Sequence, residues 1–371
     1  MSTATQREGE TICGPFGHLT RSRDRDGTRY TKMLNESQVE AGKEIQQRTG
    51  KTFYFATRLL PERVRHATYV LYAFFRVADE VVDAEETAPP EQQRERLERL
   101  RAEALGDVET GDPVLSAFAE LREQYDIDPD DVNVFIDAME SDIHKDRHAT
   151  YEELETYMDG SASAVGRMMT AVMRPDDPKQ ALPHATALGQ AFQLSNFLRD
   201  VGEDVVERDR VYLPETTLER HGVDVAQILD LEFDDRVAEV MRDELRRAES
   251  LYRDGVAGIE YLPHDCQFPV LLSAVLYADH HRSIRKLGYD TLSTTPDLSF
   301  GRKVFLLGKT AAYWAVWRDP VAVFKAVSVV PYPEDEEFDA DFGPGSTPVG
   351  KVRSRGRVSG WIRALSRWGS D

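Results

Sequence analysis

The feature that most constrains this chain is a pair of short acidic runs, each set in an apolar, aromatic, helix-like stretch. The first is Asp79-Glu80-Val81-Val82-Asp83 and the second is Asp200-Val201-Gly202-Glu203-Asp204. In each, two aspartates stand four residues apart, so on a helix both leave one face, about 6 Å from each other. One such pair is usually a solvated helix face. Here the preceding residues are YVLYAFFRVA from Tyr69 and AFQLSNFLR from Ala191, which read as buried. Buried carboxylates need a counter-charge or a metal. Two such faces turned toward each other offer the hard oxygen ligands that Mg²⁺ takes when substrate phosphates complete its shell. The expectation is an all-α enzyme that binds diphosphates through Mg²⁺, with Mn²⁺ as a second candidate.

Helical spacing extends both sites. Tyr72, Arg76, Asp79 and Asp83 form one stripe; Gln193, Asn196 or Phe197, Asp200 and Asp204 form the other. Carboxylates hold metal, while arginine and amides hold phosphate oxygens. Arg76, three residues before Asp79, is predicted to face the diphosphate. Arg199 lies about 100° round the helix from Asp200 and reads as a brace for the carboxylates.

These segments resemble the squalene and phytoene synthases, which condense prenyl diphosphates head to head. The resemblance rests on YAFFRVADEVVD (72–83), YMDGSASAVGRMM (157–169) and QLSNFLRDVGEDVVERDRVYLP (193–214), with GKTFYFATRLL (50–60) leading them. It spans residues 41–320. Glu80 stands where many members have a second aspartate, and Asp209 where a glycine is common.

The resemblance implies a single-domain isoprenoid-synthase-type helical bundle around a central pocket. Asp79, Asp83, Asp200 and Asp204 would hold the metal. A loop with Lys51 and Phe53 would cover the diphosphates, and Tyr157 would face the reacting carbons, where an aromatic ring stabilises an allylic cation. Tyr277 and Arg302 are further pocket candidates by rough alignment. The implied product is phytoene from two geranylgeranyl diphosphates, with no NADPH expected. Squalene or dehydrosqualene from farnesyl diphosphate is the alternative, and a non-catalytic assembly factor is the alternative of another class. The small-residue run from Gly160 to Gly166 reads both as a close helix crossing and as a smooth wall for prenyl chains.

Other chemistry fits poorly. A di-iron bundle wants Glu-x-x-His on facing helices, and neither acidic motif has a histidine at i+3. No phosphate-binding Gly-x-x-x-x-Gly-Lys-Ser/Thr occurs. The nine histidines fall mostly at expected helix ends or polar loops and read as surface residues, with His280 and His281 as a possible pocket edge. With 66 acidic against 46 basic residues and a net charge of −20, the chain is not a general nucleic-acid binder. Acidity of this degree suits high salt, as in a halophile. Cys13 and Cys266 make no disulfide framework and fit a reducing cytoplasm. No apolar run reaches the roughly 20 residues of a membrane span.

The organisation expected is a disordered arm (1–40), a helical synthase domain (41–330) punctuated by prolines, and a linker with a basic tail (331–371). Met33 is a second possible start. Residues 351–371 carry six basic residues against Asp371 alone. Trp361, Ile362, Leu365 and Trp368 would form an apolar stripe there. Basic helices with tryptophan lie on anionic membranes, so peripheral docking at the inner membrane face is one reading of the tail. A disordered basic tail is the other.

Overall fold

Short polar caps and prolines set where the helices begin. Asp112 accepts from the Val114 amide at 2.7 Å, and Asp234 accepts from the Arg236 and Val237 amides at 2.9 and 3.0 Å. Pro90, Pro113, Pro129 and Pro178 open their helices, where a missing N–H costs nothing.

The computed structural model describes residues 55–83 and 88–333. In chain order these form α1 (Glu62–Asp83), α2 (Pro90–Leu105), α3 (Pro113–Tyr125), α4 (Pro129–Ser141) and α5 (Tyr151–Met158). A π-helical turn (Asp159–Ser163) joins α5 to α6 (Ala164–Met173). Then come α7 (Pro178–Arg199), α8 (Val201–Arg208), α9 (Glu215–Arg220), α10 (Val225–Leu229) and α11 (Asp235–Ala257). A 3₁₀ turn (Gly258–Tyr261) leads to α12 (His264–Lys286), α13 (Phe300–Trp317) and α14 (Pro320–Val327). The described residues contain no strand, only an isolated parallel bridge between Arg147 and Val211. The all-α expectation holds. The N-terminal arm and the tail from residue 334 lie outside the described residues, as do Lys51 and Phe53.

Helix α7 lies at the centre. Its Leu194, Phe197 and Leu198 belong to a core shared with α1 to α6 and α11, while Leu188 and Ala191 belong to a second core shared with α12 to α14. Helix α1 is buried on most of its circumference, as expected of an interior helix. Phe74 stacks on Phe118 at 3.8 Å between ring centres and tilts against Phe135 at 5.5 Å. Burying one such ring contributes about 1.5–3 kcal/mol.

Two sequence expectations change. Prolines do not all punctuate the domain: Pro183 and Pro269 are each the sixth residue of a helix, α7 and α12. In the second turn a proline removes one internal hydrogen bond, which packing from both cores outweighs. His148, His280 and His281 are buried rather than superficial. His281 is held by the Ser195 hydroxyl at 2.9 Å, which also meets the Tyr252 hydroxyl at 2.9 Å, so α7, α11 and α12 share one buried polar knot.

The small-residue run serves close approach. A β-carbon on Gly160 would sit 2.2 Å from the Val134 carbonyl oxygen, and one on Gly189 would sit 2.5 Å from that of Ala162. Larger side chains would push α4 and α7 off the π-turn.

Candidate active site

A cavity of about 870 Å³ runs between α1, α6, α7 and α12. On α7 its lining extends from Ala181 to Arg199, about 27 Å of helix at 1.5 Å per residue. One end is polar, with Arg76, Asp79, Gln193, Asn196, Arg199 and Asp200 on the wall. The rest is largely apolar. Ser161, Ala162, Val165 and Gly166 line it, so the run from Gly160 to Gly166 is both a tight crossing and a smooth wall.

The two predicted stripes converge here. Tyr72, Arg76 and Asp79 reach the cavity from α1, and Gln193, Asn196, Arg199 and Asp200 from α7; Tyr157 and Tyr277 also line it. Asp83 and Asp204 are not on the lining. Asp83 accepts from Arg208 Nε at 3.2 Å and Arg210 Nη1 at 3.0 Å, and Asp204 accepts from Arg208 Nη1 at 3.2 Å. Arg208 therefore ties the two acidic motifs together. Arg302 also differs from its expected place. It makes a fork on buried Asp279, at 2.9 and 2.6 Å, and clamps α13 to α12. The next residue, Lys303, lines the cavity instead.

Asp200 does not lie inside one continuous helix. It is the junction where α7 ends and α8 begins. The Asp204 amide still donates to the Asp200 carbonyl at 2.8 Å, so the four-residue relation between the two carboxylates survives the break. Asp209 has a φ of 53°. That left-handed position suits glycine and is tolerated by aspartate. Glu80 is exposed and off the lining, so its exchange does not alter the cavity.

Each of the four motif aspartates pairs with an arginine. Arg76 pairs with Asp79, and Arg199 Nε donates to Asp200 Oδ1 at 2.6 Å. Even so, burial and then the neighbouring Asp83 push the Asp79 carboxyl up, and burial and then Asp200 push that of Asp204 up to about 7. Burial and like charge outweigh the arginines at Asp79 and Asp204. Among the described residues no three metal-binding side chains form a ready cluster. Mg²⁺ binds through one or two carboxylates plus substrate phosphates, and Asp79 and Asp200 on the lining offer two. The donor set fits a divalent cation shared with a diphosphate.

Sequence reasoning missed a second layer. Arg210 is 6 % exposed and reaches both Asp83 and the Asp142 carbonyl, the latter at 3.1 Å. The Tyr157 hydroxyl donates to Asp142 Oδ2 at 3.0 Å. Tyr212 stacks on Phe197 at 3.8 Å and on Tyr157 at 5.8 Å. The available signal was the Arg208-Asp209-Arg210 run directly after the second motif. Nothing local marked Asp142.

Burial, chiefly, raises the Asp142 carboxyl to about 7. Its folded value lies above the unfolded one, near 3.9, so the folded protein holds the extra proton. Stability from this group is greatest below the ordinary carboxylate range and falls as pH rises to about 7. Urea unfolding should therefore show the parent losing stability between pH 4 and pH 7 relative to Asp142→Asn. Parallel pH profiles would refute this.

The comparisons with known proteins agree with this geometry. The family described as Squalene/phytoene synthase matches residues 46–303. The phytoene synthase of Rhodobacter capsulatus is 31% identical over 284 residues, covering 75% of this chain and 82% of that protein. The 15-cis-phytoene synthase of Synechococcus elongatus is 31% identical over 319 residues, covering 81% and 96%. Among solved structures, a dehydrosqualene synthase in complex with ligand superposes with a TM-score of 0.69 at 25% identity, over 76% of this chain and 98% of that one. A long helical cavity with both acidic motifs at one end, and a family match across most of the described residues, lead to one conclusion: the chain belongs to the squalene/phytoene synthase family.

Proposed function

We propose that this protein is a prenyltransferase that joins two geranylgeranyl diphosphates head to head. The path runs through a cyclopropylcarbinyl diphosphate to phytoene and releases diphosphate. The observation that carries the reading is one continuous cavity, polar at the acidic end and apolar along the small-residue wall. It is supported by relatives named phytoene synthase over most of the chain.

Each side chain has work to do. Asp79 and Asp200 on the lining would hold a divalent metal, and Asp83 and Asp204 would join them only on release from Arg208 and Arg210; Mg²⁺ is the first candidate and Mn²⁺ the second. When bound, the metal supplies electrophilic pull on the diphosphate leaving group. Arg76 and Arg199, which grip Asp79 and Asp200 here, would hold phosphate oxygens of the substrate. The Tyr157 ring, fixed by Asp142 and by its stack on Tyr212, offers its face to the allylic cation. The apolar wall keeps water from that cation. The reaction ends by loss of a proton, so no hydride donor is consumed.

The dehydrosqualene synthase likeness supports a second reading, in which farnesyl diphosphate is the substrate. Incubating the protein with Mg²⁺ and either diphosphate, with and without NADPH, and identifying the hydrocarbon separates the two. Phytoene, unchanged by NADPH, is expected. A hydrocarbon formed only from farnesyl diphosphate would replace this assignment.

Arg76→Lys should lower kcat/KM about tenfold, because a planar fork becomes a point charge. Steady-state kinetics check this, and an unchanged value would make Arg76 purely structural. No helix of the described residues is long and apolar enough to cross a membrane. We also propose that the basic tail, which lies outside the described residues, adds electrostatic attraction to anionic lipid. A chain ending at Gly350 would then bind anionic vesicles more weakly than the whole protein.

A further inference from the structure

Helix α13 has its polarity inverted for a surface helix. Every exposed residue on it is glycine, alanine, valine, phenylalanine or tryptophan. Phe300 is 74% exposed, Val316 66%, Val304 46%, Trp317 42% and Phe305 38%. None of its polar residues is fully exposed. Lys303 and Thr310 are buried, and Arg302 is bound to Asp279. Helix α11 shows the usual order: its exposed residues are Asp235, Arg236, Glu239, Arg246, Ser250 and Asp254. A contiguous apolar face rimmed by charge marks an interaction surface. In a chain with a net charge of −20, an uncharged helical face of this length is the more pronounced.

We infer that the outward face of α13 docks on a bilayer surface containing anionic lipid. The charge of the rim selects this occupant. Lys309 lies on α13 and Arg318 caps its end, and the one acid between Phe300 and Val330 is Asp319, whose carboxylate accepts from the Ala322 amide at 3.0 Å. A bilayer accepts tryptophan, phenylalanine and valine into its interface and basic residues at its headgroups. In a two-fold contact with a second copy, by contrast, one self-complementary patch would bring the same cations together.

The position of the face agrees. Helix α13 packs along α12, from the Arg302–Asp279 fork to Trp314 against Phe268 at 6.2 Å between ring centres. Lys303, on its inner side, lines the cavity, and so do Pro269 and Val270 beside Phe268. The apolar face is thus the outside of the cavity wall. Docked on lipid, it sets the cavity beside the phase in which prenyl chains and hydrocarbon products dissolve. The inference goes beyond the proposed reaction and does not depend on which hydrocarbon is made.

The test is flotation of the whole protein with vesicles of phosphatidylcholine and phosphatidylglycerol in equal parts. Parent protein is compared with the double variant Val304→Glu, Val316→Glu. Both positions are exposed and outside the catalytic machinery, so folding and turnover of micelle-dispersed substrate should match the parent. Raised salt screens attraction from the tail, which the variant retains. Under those conditions the variant should bind about tenfold more weakly. Equal flotation of both proteins would overturn the inference. So would light scattering that shows the parent as a dimer and the variant as a monomer, which would assign the face to a second copy.

Discussion

Asp79→Asn and Asp200→Asn are each expected to slow turnover at least about a hundredfold, a loss of about 2.7 kcal/mol of transition-state stabilisation. Both carboxylates line the polar end of the cavity, and each is gripped by an arginine, Arg76 or Arg199. An amide keeps the shape but gives up the charge that attracts a divalent cation. Folding should survive, because the substitution relieves a gathering of like charges: Asp83 already pushes the Asp79 carboxyl up, after burial. Circular dichroism and unfolding midpoints should therefore stay near those of the parent while single-turnover rates collapse. Near-normal turnover in both variants would remove the aspartates from the reaction.

The largest loss of stability is expected from Arg210→Met. The guanidinium is 7% exposed and stands between Asp83, 16% exposed, and Asp142, 6% exposed. Removing it strands both carboxylates, which costs about 3–5 kcal/mol when a buried pair loses one partner. The Asp142 carboxyl can relieve part of this by taking up a proton, so the loss should be smaller at pH 5 than at pH 8. Adding Asp142→Asn to Arg210→Met should restore part of the stability. Urea unfolding of the three variants measures both effects. A loss below about 1 kcal/mol for Arg210→Met would mean that water already reaches the carboxylates.

What could be read in the sequence was what depends on short-range periodicity. Tyr72, Arg76 and Asp79 reach the cavity because a run of apolar residues around them forces α1 into the interior in one register. Gln193, Asn196 and Asp200 follow the same rule on α7. The bundle itself was legible because those runs carry motifs of one family. Long-range pairing was not legible. Asp142 meets Tyr157 and Arg210 only because the segment after α4 is tied to the one after α8, with the Val211 amide on the Asp146 carbonyl at 3.0 Å and the Glu215 amide on that of His148 at 3.0 Å. Arg302 and Lys303 show the limit of alignment. They are adjacent residues about 100° apart on a helix, and a shift of one decides which faces the cavity. The π-turn at Asp159–Ser163 and the break at Asp200 had no signal in composition, since both follow from tertiary crossings.

A cavity shared by both substrates has a consequence for flux. Both substrate molecules must occupy it together, and the proposed route leaves nothing covalently attached to the protein between them. At low supply the initial velocity should then rise with the square of prenyl diphosphate concentration, so halving the pool would cut output about fourfold. Enzymes that draw one molecule at a time from the same pool would lose only half. Competition for a scarce precursor would then tilt against this reaction.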